Sequence, residues 1–543
     1  MIYSAYVKSS ISNTPCVLIV RDGWGRNPHP SHNAFNALLL AKTPVDDRLT
    51  REFPTVLIRT SGEDVGLPID SSGPVMGNSE VGHQNIGAGR IVDQELMRIS
   101  RAIRDGRFAS NTIMRDAFKR SKENSRSVHL MGLVSDGQVH SDLSHLIALL
   151  ELARDCSFPK ERLFVHVFTD GRDCPPKSAL GFIATLESAL KKNGGRIASV
   201  IGRFFAMDRD HRWDRVAQAW ECLLGRSARC CDSAANAVEQ HYAHPVSASQ
   251  TSDEFVPATR ISGVDGAIRD GDSVIFFNFR GDRPREIVKT FLFSEIAFRA
   301  LANGGFDRGA IPKDLFFCTM AQYEQGLPVH VIFQRPAPMK DIFGSWLADH
   351  SIRQFRCAET EKFPHVTFFF NDYREEPFVG ETRTIIPSPR DVATYDLKPE
   401  MSAAGVRDAV LARIAAPDCE DVIIVNFANC DMVGHTGSLP AAIQAVEVVD
   451  ACVGMIVDAV LARGGSLVIT ADHGNVEQMK DQITGAPHTA HTNYDVPLMV
   501  VGNTFQGRSL RTDGRLADIA PTMLDMMGMP APNAMTGRSL LLP

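Results

Sequence analysis

Short runs of β-branched and other apolar residues recur along the chain, and longer segments of helical pattern separate them. This alternation is typical of parallel α/β architecture, and the continuous apolar character of the runs predicts strands that are buried on both faces. The predicted strands are residues 16–20, 129–134, 164–168, 197–201, 273–277, 421–425, 466–470 and 496–501. The predicted helices include residues 145–155, 177–192 and 441–461. We therefore expect an α/β fold.

The composition of the 543-residue chain narrows the class of protein further. Hydrophobic residues make up 44% and charged residues 22%, which excludes disordered, collagen-like and coiled-coil chains. The net charge of −7 gives no electrostatic reason to expect a nucleic-acid partner, and no apolar run approaches the roughly 18 residues that span a membrane. The 11 cysteines lack the spacing of a disulfide frame or a zinc cage. Reduced thiols of this kind indicate a cytoplasmic chain.

Clusters of Asp, His, Arg and Asn follow all but one of the predicted strands. Because the carboxyl ends of parallel strands meet at one edge of a sheet, we expect these side chains to converge on ligand sites. The alternative is that they form only βα turns and helix caps, but turns do not require such a mixture of charges. Residues 244–263 form a further polar segment, which is predicted to be a long loop.

Carboxylates and imidazoles in these clusters have the chemistry of metal ligands. Asp431 and His435 lie four positions apart, so a helix would present both on one face. The full set is Asp22, Asp431, Asp472, His435, His473, His488 and His491. Mixed oxygen and nitrogen ligands without thiolate favour Mn, Co, Zn or Fe over Ca or a purely Mg site. These residues are enough for two metal sites, although any single Asp–His pair could instead lie in a turn or on the surface.

Ser79, in the segment MGNSEVGH, is the candidate nucleophile. The segment lacks the G-x-S-x-G pattern of a hydrolase elbow, and a serine hydroxyl needs a base or a metal to react at neutral pH. If Ser79 joins the metal cluster, an ion would activate it and phosphoryl or sulfuryl transfer would follow. The alternative is that Ser79 is only a helix N-cap.

Arginines concentrate in the strand-end segments of the middle of the chain. They are Arg172, Arg203, Arg209, Arg280 and Arg283. Guanidinium groups match the oxygens of phosphate and carboxylate, which predicts an anionic substrate. Because Asp208, Asp210 and Asp282 are interleaved with them, a structural ion-pair network is the alternative. Dinucleotide-binding and P-loop motifs do not occur in the sequence.

Several longer segments form a combination that is too specific for chance. They are VLIVRDGWG at 17–25, MGNSEVGHQNIGAGR at 76–90, GLVSDGQVHS at 132–141, TDGRDCPP at 169–176, GRFFAMDRDHRWDR at 202–215, NFRGDR at 278–283, AETEKFPHVTFFFN at 358–371, NFANCDMVGHTG at 426–437, ADHGN at 471–475 and HTAHT at 488–492. Because of these segments, the chain resembles the cofactor-independent (2,3-bisphosphoglycerate-independent) phosphoglycerate mutases of the alkaline phosphatase superfamily. The resemblance covers nearly the whole chain.

The resemblance implies an enzyme that interconverts 3-phosphoglycerate and 2-phosphoglycerate through a phosphoserine at Ser79. It implies one metal site at Asp431, His435 and His491, and a second at Asp22, Ser79, Asp472 and His473. The favoured ion is Mn²⁺, with Mg²⁺, Co²⁺ and Zn²⁺ as alternatives. The implied substrate-binding residues are His140, Arg172, Asp173, Arg203, Arg209, Arg280, Arg283 and Lys362. Asp173 and Lys362 are also implied in catalysis, Asp173 as the general acid and base.

The resemblance also implies a metal-bearing domain that is split in sequence by an inserted transferase domain. A glycine-rich stretch before residues 90–99 and three prolines within residues 325–338 agree with such boundaries. We expect residues 1–94 and 328–543 to form the metal domain and residues 95–327 the inserted domain. The expected partner is the small phosphoglycerate alone, with neither nucleic acid nor membrane, and the expected state is a monomer.

Two other functions remain open at this stage. One is a phosphatase or phosphopentomutase of the same superfamily, and the other is an inactive relative that serves as a scaffold. Four departures from the usual family pattern also bear on function. Arg21 replaces an apolar residue before Asp22, Asn371-Asp-Tyr replaces N-G-G, Gly281 replaces Ala, and Met320-Ala-Gln-Tyr-Glu324 replaces M-T-x-Y-D/E. A buried charge at Arg21 is expected to be costly unless it finds a partner or solvent.

Overall fold

The computed structural model describes residues 11–70, 73–482 and 484–542. It separates into two compact units: unit 1 takes in Met1–Gln94 and Ala337–Pro543, and unit 2 takes in Glu95–Pro336. Unit 2 ends nine residues after the boundary expected at 327/328. The strand His330–Phe333 pairs in parallel with Phe316–Ala321, so the chain leaves unit 2 only after this strand has completed the sheet edge.

The strands, in chain order, are β1 Cys16–Arg21, β2 Thr55–Ile58, β3 Ile69–Asp70, β4 Gly73–Pro74, β5 Val128–Leu133, β6 Leu163–Thr169, β7 Arg196–Gly202, β8 Cys230–Cys231, β9 Thr259–Ile261, β10 Ser273–Phe276, β11 Phe316–Ala321, β12 His330–Phe333, β13 Gln354–Glu359, β14 Glu381–Ile386, β15 Val422–Phe427, β16 Ser466–Thr470 and β17 Val496–Val501.

The α-helices are α1 Ala37–Leu40, α2 Pro44–Glu52, α3 Ser79–Ala88, α4 Glu95–Arg104, α5 Thr112–Glu123, α6 Leu143–Asp155, α7 Ala179–Asn193, α8 Arg203–Ala206, α9 Trp213–Leu223, α10 Ala234–Ala243, α11 Arg285–Leu292, α12 Glu295–Arg299, α13 Phe343–Asp349, α14 Ala403–Ala415, α15 Asn429–Gly434, α16 Leu439–Ala462 and α17 Ile519–Met526. Short 3₁₀ helices lie at Pro30–Phe35, Gly62–Val65, Lys160–Arg162, Asp253–Phe255, Ala302–Gly304, Tyr395–Leu397 and Leu516–Asp518, and a π-helix lies at His365–Phe369. Among the described residues, no helix combines the length and apolarity that a membrane crossing needs.

Unit 1 is built on a seven-stranded sheet in the order β14-β13-β15-β1-β16-β17-β2. The central strand β1 pairs in parallel with β15 on one side and with β16 on the other. Residues 16–20 of β1 are fully buried because helices cover both faces of a parallel sheet. The carboxyl ends of β1, β15 and β16 therefore meet at one edge, which positions the residues that follow them.

Unit 2 is built on an eight-stranded sheet in the order β12-β11-β10-β5-β6-β7-β9-β8. Successive side chains of a strand point to opposite faces, so β5 contributes to two separate apolar cores. Val128 and Leu130 belong to one core, whereas Met131 and Leu133 belong to the other. Strands β10, β5, β6 and β7 are parallel neighbours, so their carboxyl ends also share an edge.

The α/β class and the strands predicted from the sequence are confirmed, with two corrections. Strand β17 is antiparallel to both of its neighbours, whereas a parallel architecture was expected. The chain between β16 and β17 contains no α-helix among its described residues, so it stays at the same sheet edge and β17 runs back. Residues 244–263 are also not one loop, because they contain the helix Asp253–Phe255 and strand β9.

Candidate active site

Four segments that carry candidate metal ligands converge at the carboxyl edge of the unit 1 sheet. Asp22 follows β1, Asp431 lies in helix α15 after β15, and Asp472 and His473 follow β16. The segment after β16 stays at this edge, and it brings His491 to the same place. All three carboxylates are buried at 3% side-chain exposure or less, so their charges are held where water does not screen them.

Ser79 is the first residue of helix α3, and the side chain of Asn78, not that of Ser79, caps the helix by accepting from the N–H of Val81. The Ser79 hydroxyl is therefore free for other contacts. Its Oγ lies 3.2 Å from Oδ1 of Asp22 and 3.0 Å from Nε2 of His473. The N-cap alternative for Ser79 is wrong, and the structure brings this hydroxyl into the carboxylate–imidazole cluster.

Lys362 supplies a buried cation at the same point. Its Nζ donates hydrogen bonds to Oγ of Ser79 at 2.6 Å, to Oδ2 of Asp431 at 2.6 Å and to Oδ1 of Asp22 at 2.9 Å. Burial disfavours the ammonium ion, but Asp22 and Asp431 outweigh this effect and hold the pKa of Lys362 well above its ordinary value. Lys362 is therefore charged at neutral pH.

Three groups of side chains could each hold a metal ion, since the candidate ligand atoms within each group lie within 4.8 Å of one another. The groups are Asp431 with His435 and His491, Asp22 with Asp431 and His473, and Asp22 with His83 and Asp472. His488, which was also considered as a ligand, belongs to none of these groups among the described residues.

The first group has the donor geometry that a cation requires. Nδ1 of His435 lies 2.7 Å from the carbonyl oxygen of Thr489, and Nδ1 of His491 lies 3.0 Å from that of Gly77. A carbonyl oxygen only accepts, so each neutral ring carries its proton on Nδ1 and directs the lone pair of Nε2 inward. The two Nε2 atoms are 3.2 Å apart, and each lies close to Oδ1 of Asp431, at 3.2 and 3.1 Å.

The second and third groups share Asp22, and the third contains carboxylate oxygens that lack protein donors. Nε2 of His473 lies 3.3 Å from Oδ1 of Asp22 and 3.7 Å from Oδ2 of Asp472. Neither oxygen of Asp472 has a well-aligned hydrogen bond from the described residues, although both are fully buried and Nδ1 of His83 lies 3.2 Å from Oδ2. Buried, unpartnered carboxylate oxygens are the donors that a divalent cation would satisfy, so these residues fit such an ion.

His83 belongs to the MGNSEVGH segment, but the sequence predicts no role for it. It lies four residues after Ser79 on helix α3, and this spacing alone would have placed both on one helix face. Its Nδ1 lies 2.8 Å from the carbonyl oxygen of Ser79 and 3.2 Å from Oδ2 of Asp472. Asn426, also unassigned, donates to Oδ2 of Asp22 at 2.7 Å and lies 3.1 Å from Nε2 of His83. These two residues link the nucleophile segment to two of the carboxylates.

Unit 2 carries a separate cluster at the carboxyl ends of β5, β6, β7 and β10. Nη1 of the buried Arg203 lies 2.6 Å from both Oδ1 of Asp170 and Oδ2 of Asp173. His140 lies 3.8 Å from Asp173 and 3.5 Å from Asp282. The side chains of Arg172, Arg209 and Arg280 are about half exposed, and all three contact acids, namely Glu254 for the first and Asp282 for the others.

The electrostatics of this cluster favour an anion. Burial lowers the pKa of Arg283, and the nearby guanidinium groups of Arg203, Arg209 and Arg172 lower it further. Burial and Arg203 also lower the pKa of His140 to about 4, so this imidazole is neutral at pH 7. The structure thus brings together all the predicted substrate-binding residues except Lys362, which lies in unit 1 beside Ser79.

Known sequences resemble both unit 2 and the chain as a whole. The family model described as "BPG-independent PGAM N-terminus" matches residues 99–325. A protein from Rhodopirellula baltica named 2,3-bisphosphoglycerate-independent phosphoglycerate mutase is 56% identical over 531 residues, which is 97% of each chain. The chain belongs to this phosphoglycerate mutase family.

Other relatives agree with this membership. A phosphoglycerate mutase of the same name from Desulforudis audaxviator is 49% identical over 534 residues, covering 97% of this chain and 99% of the relative. A crystal structure of Leishmania mexicana phosphoglycerate mutase at low cobalt concentration has a TM-score of 0.61 and 31% identity, and it covers 98% of this chain and 99% of the other. The chain is accordingly an isomerase that interconverts 3-phosphoglycerate and 2-phosphoglycerate.

Three of the departures from the phosphoglycerate mutase family pattern have local structural explanations. Arg21 is 2% exposed, forms an ion pair with Asp46 and stacks 4.2 Å from the ring centroid of Trp24, so its charge has a partner. A Cβ atom at Gly281 would lie 2.5 Å from Cα of Tyr323, so this chain has no room for alanine there.

At the departure in residues 371–373, the backbone adopts a conformation that glycine favours, although neither Asp372 nor Tyr373 is a glycine. Asp372 and Tyr373 have φ values of 55° and 62°, in the left-handed region that side chains disfavour. Two side-chain hydrogen bonds hold this conformation. Oδ2 of Asp372 accepts from the N–H of Met339 at 2.6 Å, and the hydroxyl of Tyr373 donates to Oε1 of Glu80 at 3.2 Å.

Proposed function

We propose that Ser79 is the nucleophile of the mutase reaction and carries the phosphoryl group as a phosphoserine between the two oxygens of glycerate. The observation that supports this role is the surroundings of its Oγ, which lies within 3.2 Å of Asp22, His473 and Lys362. A free serine hydroxyl is a poor nucleophile, and a cation beside it favours the alkoxide.

Two divalent ions belong to this proposal. Asp431, His435 and His491 would hold one, and Asp22, Ser79, Asp472 and His473 would hold the other. When bound, these ions supply Lewis-acid activation of the hydroxyl and neutralise charge on the phosphoryl oxygens. The mixed oxygen and nitrogen donors, without thiolate, favour Mn²⁺, with Co²⁺, Zn²⁺ and Mg²⁺ as alternatives.

The residues of the chain account for the remaining steps. After the Ser79 hydroxyl has lost its proton to solvent, Oγ bonds to phosphorus as the bond from phosphorus to the 3-oxygen of glycerate breaks, and Lys362 stabilises the charge on the transferring group. Asp173 protonates the departing glycerate oxygen and later removes the proton from the 2-hydroxyl, which then takes the phosphoryl group back. Exclusion of water protects the phosphoserine from hydrolysis during this exchange.

The cationic cluster of unit 2 binds the acid. Its members are His140, Arg172, Arg203, Arg209, Arg280 and Arg283. Forked guanidinium groups hold a carboxylate in a defined orientation, and this lets glycerate change which oxygen it offers without leaving. A simple phosphatase has no need of such a cluster, and this is why mutase chemistry is preferred to phosphate release.

The protein is also proposed to act as a cytoplasmic monomer. The 11 cysteines are all free and most of them are buried, in keeping with a reducing compartment. Light scattering of the purified protein at several concentrations tests the oligomeric state.

The deciding experiment incubates the protein with 3-phosphoglycerate and Mn²⁺ and follows 2-phosphoglycerate against free phosphate. The expected result is 2-phosphoglycerate as the main product, with label from [³²P]3-phosphoglycerate recovered on Ser79 after a rapid quench. Ser79→Ala should abolish both turnover and labelling, whereas Ser61→Ala, at another buried serine of unit 1, should change neither. Dominant phosphate release, or turnover without labelled Ser79, would overturn the proposal.

A further inference from the structure

Glu477 is a fully buried acid four residues after His473, and it belongs to none of the three groups that could hold a metal. We propose that Glu477 is a positioning residue whose carboxylate fixes three ligand-bearing segments relative to one another. The inference rests on the ion-binding role proposed above, and it concerns how the ligands reach their places.

The carboxylate accepts hydrogen bonds from all three segments. Its Oε2 accepts from the N–H of Gly25 at 3.1 Å and from the N–H of Asn475 at 2.8 Å. Its Oε1 accepts from the hydroxyl of Thr492. One acceptor group therefore satisfies donors from the loop after β1, the loop after β16 and the loop before β17, all inside the protein.

Each of these donors is close in sequence to a candidate ligand. Gly25 follows Asp22 by three residues, Asn475 follows His473 by two, and Thr492 is adjacent to His491. Asn475 extends the connection, because its Nδ2 donates to Oδ1 of Asp431 at 3.1 Å. Glu477 is thus one hydrogen bond away from the candidate-ligand segments after β1, after β16 and before β17, and Asn475 links it to Asp431 after β15 through a second hydrogen bond.

Two glycines leave the space that this carboxylate occupies. A Cβ atom at Gly25 would lie 2.5 Å from Cδ of Glu477, and a Cβ atom at Gly474 would lie 2.2 Å from its Oε1. Any larger residue at either position would displace the carboxylate. The two loops therefore approach Glu477 at a distance that only glycine permits, independently of the hydrogen bonds.

The experiment compares Glu477→Ala and Glu477→Gln with the unmodified chain. Partners of this kind commonly change metal affinity by 10- to 100-fold, so Glu477→Ala should weaken Mn²⁺ binding in calorimetry by that factor and alter the visible spectrum of the Co²⁺-loaded protein. Its kcat should fall while KM for 3-phosphoglycerate changes little, because the residues proposed to bind the acid lie in unit 2. Glu477→Gln keeps an acceptor for the two N–H groups and should recover most of the affinity.

Two controls separate positioning from general destabilisation. Glu420→Ala removes another buried glutamate of unit 1, one that contacts Thr382 and Arg413, and it should leave Mn²⁺ affinity unchanged. If Glu477→Ala does not fold, Thr492→Val removes a single donor and should weaken Mn²⁺ binding in the same direction by a smaller factor.

The inference is overturned if Glu477→Ala, or Thr492→Val in its place, binds Mn²⁺ as tightly as Glu420→Ala and gives an unaltered Co²⁺ spectrum. Ser79→Ala distinguishes this failure from a failure of the proposed function. That variant should lose turnover and phosphoserine while its Glu477 contacts remain.

Discussion

Nζ of Lys362 lies 2.6 Å from Oγ of Ser79, although 283 residues separate them in the chain. The same ammonium group contacts Asp22 and Asp431, so it lies between the hydroxyl and two of the three buried carboxylates. Because each carboxylate follows a different strand of the sheet, the position of this cation depends on the whole carboxyl edge of unit 1.

Lys362→Met should lower kcat by about 10²- to 10³-fold, the usual cost of removing one group that stabilises developing charge. The reduced charge compensation should appear in rapid-quench labelling as slower formation of phosphoserine at Ser79. Lys398→Met is the matched control, since Lys398 lies on the surface of the same unit and pairs with Asp391. Equal labelling rates in Lys362→Met and the unmodified chain would contradict the assigned role.

Activity should fall as the pH drops below neutrality. A hydrogen bond to the carboxylate of Asp431 raises the pKa of His435, and the pKa of His491 is also raised because its own hydrogen bond to Asp431 outweighs burial. Both rings therefore gain protons at a higher pH than an ordinary histidine, and a protonated imidazole cannot bind an ion. Burial lowers the pKa of His473, so this ring stays neutral to lower pH.

Protons and ions compete for these rings, so the acid limb of the profile should depend on metal. With one competing proton, a tenfold increase in Mn²⁺ shifts the midpoint down by up to about one pH unit. Rate profiles from pH 5 to 8 at two Mn²⁺ concentrations measure this. A flat profile, or a midpoint that ignores Mn²⁺, would rule out the proposed ligand set.

Asp46→Asn should destabilise the protein more than its partial exposure suggests. It leaves the buried Arg21 charge with the ring of Trp24 alone, and removal of one member of a buried pair costs about 3 kcal/mol of unfolding free energy. Asp47→Asn, at an exposed position in the same first turn of α2, should change stability by less than about 0.5 kcal/mol. Urea unfolding of both variants tests the difference, and equal midpoints would show that Arg21 does not need Asp46.

Glu359→Gln should stabilise the protein over the unmodified chain by more at pH 8 than at pH 5. Burial raises the pKa of Glu359 to about 7, above the unfolded value, so the folded chain binds more protons between these values. The free energy of unfolding therefore falls as pH rises from 5 to 8, and a neutral glutamine avoids this loss. The gain of the variant over the unmodified chain should grow by about 3 kcal/mol across this range.

Urea unfolding at the two pH values measures this gain. The exposed neighbour Glu361 provides the comparison, since Glu361→Gln should show no such growth. A pH-independent difference for Glu359→Gln would mean that folding does not raise the pKa of this carboxyl.

Much of this arrangement could be predicted from the sequence because the polar residues stand directly after apolar runs. A run such as residues 16–20 fixes both the strand and the edge at which Asp22 emerges. The contacts of Ser79 with Lys362 could not be predicted from local pattern, since helix α3 and the segment after β13 meet only through tertiary packing. The family resemblance supplied Lys362, and it gave no role to His83, Asn426 or Glu477.

The partner of Arg21 could not be predicted for a similar reason. Asp46 lies on a short helix whose contact with β1 depends on where α16 packs, because Asp450 of α16 accepts from the N–H groups of Val45 and Asp46. The left-handed backbone at Asp372 and Tyr373 also could not be predicted from the sequence, since neither residue type indicates that conformation as glycine does.

The central position of β1 in its sheet has a consequence for biosynthesis. Cys16 pairs with Val422 and Ser466, so both neighbours of this strand are translated long after it. At 5–20 residues per second the apolar strand waits roughly 20–90 s for them on the ribosome. Unit 2 is made from one continuous stretch and can complete its own sheet during that interval. Nascent chains should therefore carry a folded unit 2 and an unpaired, aggregation-prone β1 that needs a chaperone.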